Sequence, residues 1–577
     1  MLKFFDIIEK HMLRNFIKPI IILVIFTTLL LPLTTKADYL NQKVNFFIDS
    51  SYDLYSREEI SAILQKITNH LYFYIDVNWW NKLDHSKKIE IDNKLYNLAN
   101  EFEYKIYPIL TQTFGSEPRP GIDKDERITI LIHPMKEEAG GYFNSGNSYP
   151  KLQNPRSNER EIIYLNSQHI EKPVAKSFLA HEFIHLITFN QKEILRKVSE
   201  EIWLNEGRAE YISTLLGYDD IYEGSNLQKR IRFFLEKPNN SLIEWQNEKS
   251  DYGTVNLFVQ YLIDHYGIKI LVDSLYSSKI GIPSINEALV KNKFKEDFSQ
   301  IFTNWLIALL VNDCSLGERY CYKNPNLKNL KIAPTINFLP FGTESTLSVF
   351  NTIKEWTGNW QKIVGGKGDL TFEFDGQNEI DFKVSYLICD YQEKCQINFL
   401  NLNNDQKGKM SISQFNTKYT SLVIIPSIQV KISDFTDSEP SYSFIWKVSI
   451  SEKTKEEKEI ELRKQLLAQI DSLKKEIIKL QTQRSAFCQK LENNLYLGIK
   501  NNSEVRCLQE FLKAQGSEIY PQGLVTGNFG LLTKLAVIRF QEKYALEILS
   551  PLGLKQGTGF VGVITRSKIN QLILWKR

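Results

Sequence analysis

Apolar and polar positions change period several times along the chain, and each change marks a boundary. Residues 20–33, IIILVIFTTLLLPL, form an apolar run. From 38 to about 330, KVNFFID (43–49), RITILIHP (127–134) and EIIYLNS (161–167) alternate or run apolar with β-branched side chains, which predicts strands. Residues 57–75 and 88–114 carry apolar positions at helical spacing, and helices are predicted there. Beyond 174 the pattern is mostly helical, with 199–216, 254–266 and 296–311 the clearest segments. A small sheet followed by helices is an α+β order.

Near 330 the period shortens to two. LTFEFDG, DFKVSYLIC, CQINFLNL, SLVIIPSIQVKI and YSFIWKVSI are separated by Gly, Asn, Asp and Pro, the rhythm of a β-sandwich over 332–450. Residues 452–487 then form a charged helical segment in which Leu466, Ile470, Leu473, Ile477 and Leu480 follow a 4,3,4,3 spacing. That is the seam of a short coiled coil, or the uneven face of a solvated spacer roughly 50 Å long at 1.5 Å per residue. In the last ninety residues, Thr526-Gly527-Asn528-Phe529-Gly530 with Thr533 recurs 32 positions later as Thr558-Gly559-Phe560-Val561-Gly562 with Thr565, each copy opening a predicted helix. Such an echo signals stacked structural units.

The 577 residues exceed what one core supports, so the chain is multidomain. The expected divisions are 1–37, 38–331, 332–450, 451–490 and 491–577. A formal charge of +3 from 71 basic and 68 acidic side chains gives no electrostatic reason to expect nucleic acid. Lys3, Lys10, Arg14 and Lys18 precede the apolar run, and Thr35-Lys36-Ala37 follows it, the layout of a secretory signal peptide cut after Ala37. Uncleaved, the same segment is a membrane anchor. Either way the bulk of the chain is expected outside the cytoplasm. The six cysteines fall into local pairs, Cys314 with Cys321, Cys389 with Cys395 and Cys488 with Cys507, which in an exported chain reads as disulfides.

Residues 181–211, HEFIHLITFNQKEILRKVSEEIWLNEGRAEY, carry the chemistry. On a helix, His181 and His185 project from one face a turn apart, a spacing at which two imidazoles hold one Zn²⁺, with Glu182 beside them. Glu206, 21 positions beyond His185, sits on a second helix that can cross the first and supply a carboxylate. Glu210, one turn on, shares its side and can support a ligand histidine. Two histidines, one glutamate and an open fourth position make a hydrolytic rather than a structural site.

HEFIH followed by WLNEGRAEY resembles the gluzincin metallopeptidases, the superfamily of thermolysin-like enzymes and the M1 aminopeptidases. The resemblance implies a thermolysin-like zincin domain binding one Zn²⁺ through His181, His185 and Glu206, with Glu182 as general base and Glu210 supporting a ligand. The M1 Gly-x-Met-Glu-Asn segment has no counterpart in Glu138-Ala139-Gly140-Gly141-Tyr142-Phe143-Asn144, which favours an endopeptidase. The Gly-Gly-Tyr-Phe stretch is either an edge strand for an extended peptide or a plain turn and strand. Tyr252 is the candidate donor to the developing oxyanion, with Tyr211 and Tyr142 as alternatives among 27 tyrosines.

The tail resembles the peptidoglycan-binding domain 1 family, through Leu497-Gly498, Val505, Leu508-Gln509, Leu512, Gly527, Phe529-Gly530, Thr533, Ala536-Val537 and Phe540-Gln541, with Gly559, Gly562 and Thr565 fitting its closing helix. That implies a three-helix module over 491–577 with peptidoglycan as partner. The expectation is a secreted or wall-associated zinc endopeptidase acting on protein or peptide. The competing readings are an inactive wall-bound adhesion or scaffold protein, and a hydrolase of wall peptide cross-links.

Overall fold

The computed structural model describes residues 37–340, 344–430, 440–451, 455–485 and 490–574. The signal segment read over 1–37 therefore lies, Ala37 apart, outside the described residues. The chain divides into two compact units, Met1–Glu452 and Lys453–Arg577. Among the described residues no helix is long and apolar enough to cross a membrane.

The first unit begins with a six-stranded sheet, built from β1 (Lys43–Phe47), β2 (Glu59–Ile67), β3 (Leu71–Asp76), β4 (Ile128–His133), β5 (Gly141–Phe143) and β6 (Ile162–Asn166) in the order β1-β2-β3-β4-β6-β5. β3, β4 and β6 run parallel, while β5 closes one edge antiparallel to β6. The helix expected over 57–75 is not formed; β2 and β3 pair there as an antiparallel hairpin. Ile60, Ile63, Leu64 and Ile67 fit a helical stripe, but Ile60, Ala62 and Leu64 also alternate, and these three are buried. The β-branched and aromatic run that follows, Leu71–Asp76, is buried throughout, which a solvent-facing amphipathic helix cannot offer.

Alternation along β3 splits the sheet's two faces. Phe73 and Ile75 join a large core with α1 (His85–Glu101), α2 (Tyr107–Phe114) and α3 (Ala175–Phe189). Tyr72 and Tyr74 face a smaller cluster with Phe46, Leu131, Tyr142 and Tyr164. Beyond α3 come α4 (Ile202–Leu215), α5 (Asn226–Glu236), α6 (Lys249–Tyr266) and α7 (Phe298–Val311). α4 packs between α3 and α6, and Gly207 lets it approach α6: a Cβ there would stand 3.0 Å from Val259 Cγ2.

Nine strands follow, β7 (Thr335–Leu339), β8 (Ser345–Lys354), β9 (Gln361–Gly365), β10 (Gly368–Gly376), β11 (Phe382–Asp390), β12 (Cys395–Leu400), β13 (Lys407–Phe415), β14 (Tyr419–Ile428) and β15 (Ser441–Ser451). They form two layers, β12-β11-β14-β9-β7 and β13-β10-β15-β8, which meet where Phe415 pairs with Tyr419. Phe372, Phe374, Ile424 and Trp446 lie in the core between the layers. The opposite face of β11 and β14 offers Leu387, Val423 and Ile425 to the helical core. Trp356 packs on Phe302 at 5.3 Å and Trp360 Nε1 donates to the Leu306 carbonyl at 3.1 Å, so the sandwich and α7 share apolar contacts. Disulfides join Cys314 to Cys321 and Cys389 to Cys395, as expected; Cys488, read as the partner of Cys507, lies outside the described residues.

In the second unit α8 (Lys455–Ser485) is a single helix whose seam residues Leu466, Ile470, Leu473 and Ile477 are exposed. α9 (Ser503–Ala514), α10 (Leu531–Lys543) and α11 (Val563–Leu574), with a short helix at Ala545–Ile548, surround a core of Leu508, Leu512, Phe529, Val537, Phe540, Val561 and Ile569.

Candidate metal centre

α3 has no Gly or Pro, and eleven of its fifteen residues are buried, so packing on three sides fixes its rotation. That rotation turns His181 and His185 towards α4, their ring centroids 4.9 Å apart. From α4, Glu206 Oε2 lies 3.3 Å from His181 Nε2 and Glu206 Oε1 lies 3.5 Å from His185 Nε2. Among the described residues these three form the one group of His, Cys, Asp or Glu able to hold a metal, their donor atoms all within 4.8 Å of one another. Glu206 Oε2 is buried without a hydrogen bond. A carboxylate with one oxygen near each of two imidazole nitrogens, and one of those oxygens buried without a hydrogen bond, fits a divalent cation, and the N₂O donor set suits zinc.

Charge couples the group. Burial alone would lower His185, but the Glu206 carboxylate outweighs it and pushes the imidazole up to about 9. Burial would raise Glu206, and the two imidazoles instead hold it well below the usual carboxylate range. Glu182, buried on the same helix, is pushed up by burial, with the histidines partly offsetting the shift. Its Cγ lies beside the edge strand at Gly141, where an added Cβ would meet it at 3.2 Å and the Tyr164 carbonyl at 2.6 Å. The Gly-Gly-Tyr-Phe stretch forms the edge strand β5, an element common to both of its readings.

Around the group stands a shell that sequence reading reached only in part. Glu210 Oε1 is 3.7 Å from His181 Nδ1, too long for a hydrogen bond, so it acts on that ring as a nearby charge. Its carboxylate is engaged by Arg230, with Nη2 donating to Oε1 at 2.6 Å and Nε to Oε2 at 2.8 Å, and by Asn226 at 2.9 Å. Burial would raise Glu210, but Arg230 holds it below its ordinary value. Asn205 Oδ1 meets His185 Nδ1 at 3.1 Å, orienting the second imidazole. The Asn-Glu pair in the motif was a usable signal for Asn205; nothing local marks Arg230, which arrives from α5.

Tyr252, at the start of α6, lines the cleft in front of the group, a space of about 300 Å³ also bounded by Tyr52, Phe143, His181, Glu182 and Glu206. Its hydroxyl donates to Asn247 Oδ1 at 2.9 Å. Tyr142 also lines the cleft, and its hydroxyl oxygen accepts from the Asp49 N–H at 3.0 Å. Tyr211 is not among the residues lining the cleft, and burial with the nearby Asp264 carboxylate pushes it up to about 12.

In the second unit the sequence echo is a structural repeat. Gln509 on α9 is buried, accepts from the Thr526 and Gly527 N–H groups at 2.7 and 2.8 Å, and donates to the Asn528 carbonyl at 2.9 Å and to Thr533 Oγ1 at 2.9 Å. Gln541 on α10, 32 positions on, does the same with Thr558, Gly559, Phe560 and Thr565. Gly527 and Gly559 take φ of 76° and 70°, values a side chain disfavours, which is why glycine recurs there.

Residues 501–548 match the family described as "Putative peptidoglycan binding domain". The match spans the first copy of the repeat through α10. No curated protein matches the chain. Among solved structures, the pre-peptidase C-terminal domain of collagenase from Bacillus anthracis is similar at 7% identity, over 20% of this chain and 96% of that one, with a TM-score of 0.14. PliG of Aeromonas hydrophila, a periplasmic inhibitor of g-type lysozyme, is similar at 11% identity over 21% and 100%, with a TM-score of 0.14. CorA, a surface-associated copper-binding protein of Methylomicrobium album BG8, is similar at 12% over 20% and 100%, with a TM-score of 0.13. Scores this low do not establish a shared fold.

Proposed function

We propose that this chain is an extracytoplasmic zinc endopeptidase of the gluzincin type, held at the cell wall by its C-terminal module. The observation that carries the reading is the convergence of His181, His185 and Glu206 from crossing helices, with donor atoms within 4.8 Å, beside the buried Glu182. His181, His185 and Glu206 would hold the ion. When bound, zinc lowers the pKa of a water molecule towards 7 and polarises a carbonyl. Glu182, whose burial raises its proton affinity, receives the proton of the attacking water and delivers it to the amine nitrogen as the C–N bond breaks. Asn205 fixes the His185 ring, and Glu210 with Arg230 fixes the charge behind His181. β5, an antiparallel edge beside the cleft, suits an extended peptide backbone. The family match over 501–548 supports peptidoglycan as the partner of the tail.

The test is turnover of casein and of purified wall fragments by the secreted chain, with and without chelator, alongside Glu182→Gln. Chelator-sensitive cleavage that Glu182→Gln lowers by 10²-fold or more, at unchanged zinc content, is expected. Cleavage of wall fragments alone would move the substrate to cross-link peptides. Wall binding without any cleavage would favour the scaffold reading.

A further inference from the structure

We propose that Tyr52, rather than Tyr252, donates the hydrogen bond that stabilises the scissile carbonyl oxygen, an assignment that rests on the metallopeptidase reading above. Both tyrosines border the cleft with His181, Glu182, His185 and Glu206. They differ in what already occupies them. The Tyr252 hydroxyl is committed to Asn247 at 2.9 Å, and its ring is held between the Arg230 guanidinium at 4.7 Å and Trp245 at 4.8 Å. The Tyr52 hydroxyl makes no hydrogen bond among the described residues, while the residue is only partly buried and faces open space.

Everything except that hydroxyl is fixed. The Tyr52 ring stacks on Tyr142 at 4.7 Å and 14°, and Tyr142 stacks on Tyr164 at 4.1 Å and 7°, a column rooted in the sheet. The Tyr52 carbonyl accepts from the Lys136 N–H at 2.9 Å. The adjoining Asp53, fully buried, accepts from Arg57 Nη2 at 2.8 Å and contacts His133 Nδ1 at 3.1 Å, and Arg57 Nη1 reaches Asp76 at 2.6 Å. The turn that carries Tyr52 is thus tied to β3 and to the end of β4. A donor held this way needs no reorganisation when charge develops, which is what makes such donors effective.

In the step assigned, the water oxygen bonds to the carbonyl carbon and the C=O π pair moves onto the carbonyl oxygen. The Tyr52 O–H donates to that oxygen and keeps its proton. Glu182 takes the water proton and passes it to the nitrogen as the C–N bond breaks, so charge and atoms balance without Tyr52 changing state.

The experiment compares the full secreted chain with Tyr52→Phe and Tyr252→Phe, measuring kcat, KM, zinc content, and calorimetric Kd for a phosphinic analogue of the casein peptide cut fastest by wild type. Tyr52→Phe keeps the stacked ring. It is expected to lower kcat about 10²-fold with KM within about threefold and zinc unchanged, and to weaken the phosphinic peptide at least about tenfold; Tyr252→Phe is expected to lose under about tenfold in kcat. An active wild type whose Tyr52→Phe variant keeps its kcat and its phosphinic affinity overturns this assignment alone. A wild type without chelator-sensitive turnover overturns the metallopeptidase reading and the assignment together.

Discussion

Glu210→Gln probes the buried charge pair that stands behind His181. The Glu210 side chain is 0% exposed and Arg230 14%, and they are joined by bonds of 2.6 and 2.8 Å. The amide keeps an oxygen for Asn226 or Arg230 but removes the charge, leaving a mostly buried guanidinium without a counter-ion. Breaking a buried pair from one side costs about 3–5 kcal/mol, and because Gln keeps part of the hydrogen bonding the lower end, about 3 kcal/mol, is expected. Removing both charges, Glu210→Gln with Arg230→Met, should return at least half of that loss, since two neutral partners need no compensation. Urea unfolding followed by tryptophan fluorescence reads this selectively: of nine tryptophans only Trp575 lies beyond the first unit. A single-variant loss below about 1 kcal/mol, or a double variant less stable than the single, would refute the claim that Arg230 is held in place by Glu210.

Other predictions follow from features away from the cleft. Glu161 is 3% exposed and burial pushes its carboxyl up to about 7. Its folded value exceeds its unfolded one, so the native state is favoured below about pH 4.5, loses stability as pH rises towards 7, and levels off above; the span is about 3 kcal/mol. Glu161→Gln should flatten that slope and stabilise the protein at pH 8, and unfolding titrations in which the variant is no more stable there would exclude the effect. Gln541→Ala removes a buried amide that satisfies two N–H groups and a carbonyl, costing the second unit about 3 kcal/mol. Hydrogen exchange should then accelerate at residues 558–560, whereas Gln509→Ala should do so at 526–528; acceleration of both loops by either variant would argue against independent clamps. Reducing both described disulfides should lower unfolding stability by about 2 kcal/mol for each closed loop, read against the oxidised chain, and an unchanged midpoint would show that the loops were already ordered.

The candidate ligands were legible because they obey helical arithmetic. His181 and His185 are one turn apart on a segment with no helix breaker, and Glu206 and Glu210 repeat that spacing on the next helix. What surrounds them was legible only in Glu210 and the motif's Asn205, because the rest depends on how distant elements pack. Arg230 comes from α5 and its pairing with Glu210 leaves no mark on the local pattern. Tyr52 comes from a turn before the second strand, placed by Asp53 and the tyrosine stack rather than by any periodicity. Residues 57–75 were misread for a related reason: Ile60, Ile63, Leu64 and Ile67 satisfy both periods, and only the choice of Ile60, Ala62 and Leu64 as the buried set, made by the sheet, decides between them. The tail was legible down to single residues, since Gln509 and Gln541 stand at the same offset before their Thr-Gly turns.

The central claim is that two imidazoles and one carboxylate hold a single ion. Equilibrium dialysis of the full chain against buffered zinc, with bound metal quantified by mass spectrometry, tests it directly. The account predicts about one zinc per chain, lost on His181→Ala and weakened by at least about 100-fold on Glu206→Ala, with Glu182→Gln retaining it. A wild-type chain that binds no zinc, or a Glu206→Ala variant that binds it as tightly as wild type, would contradict it.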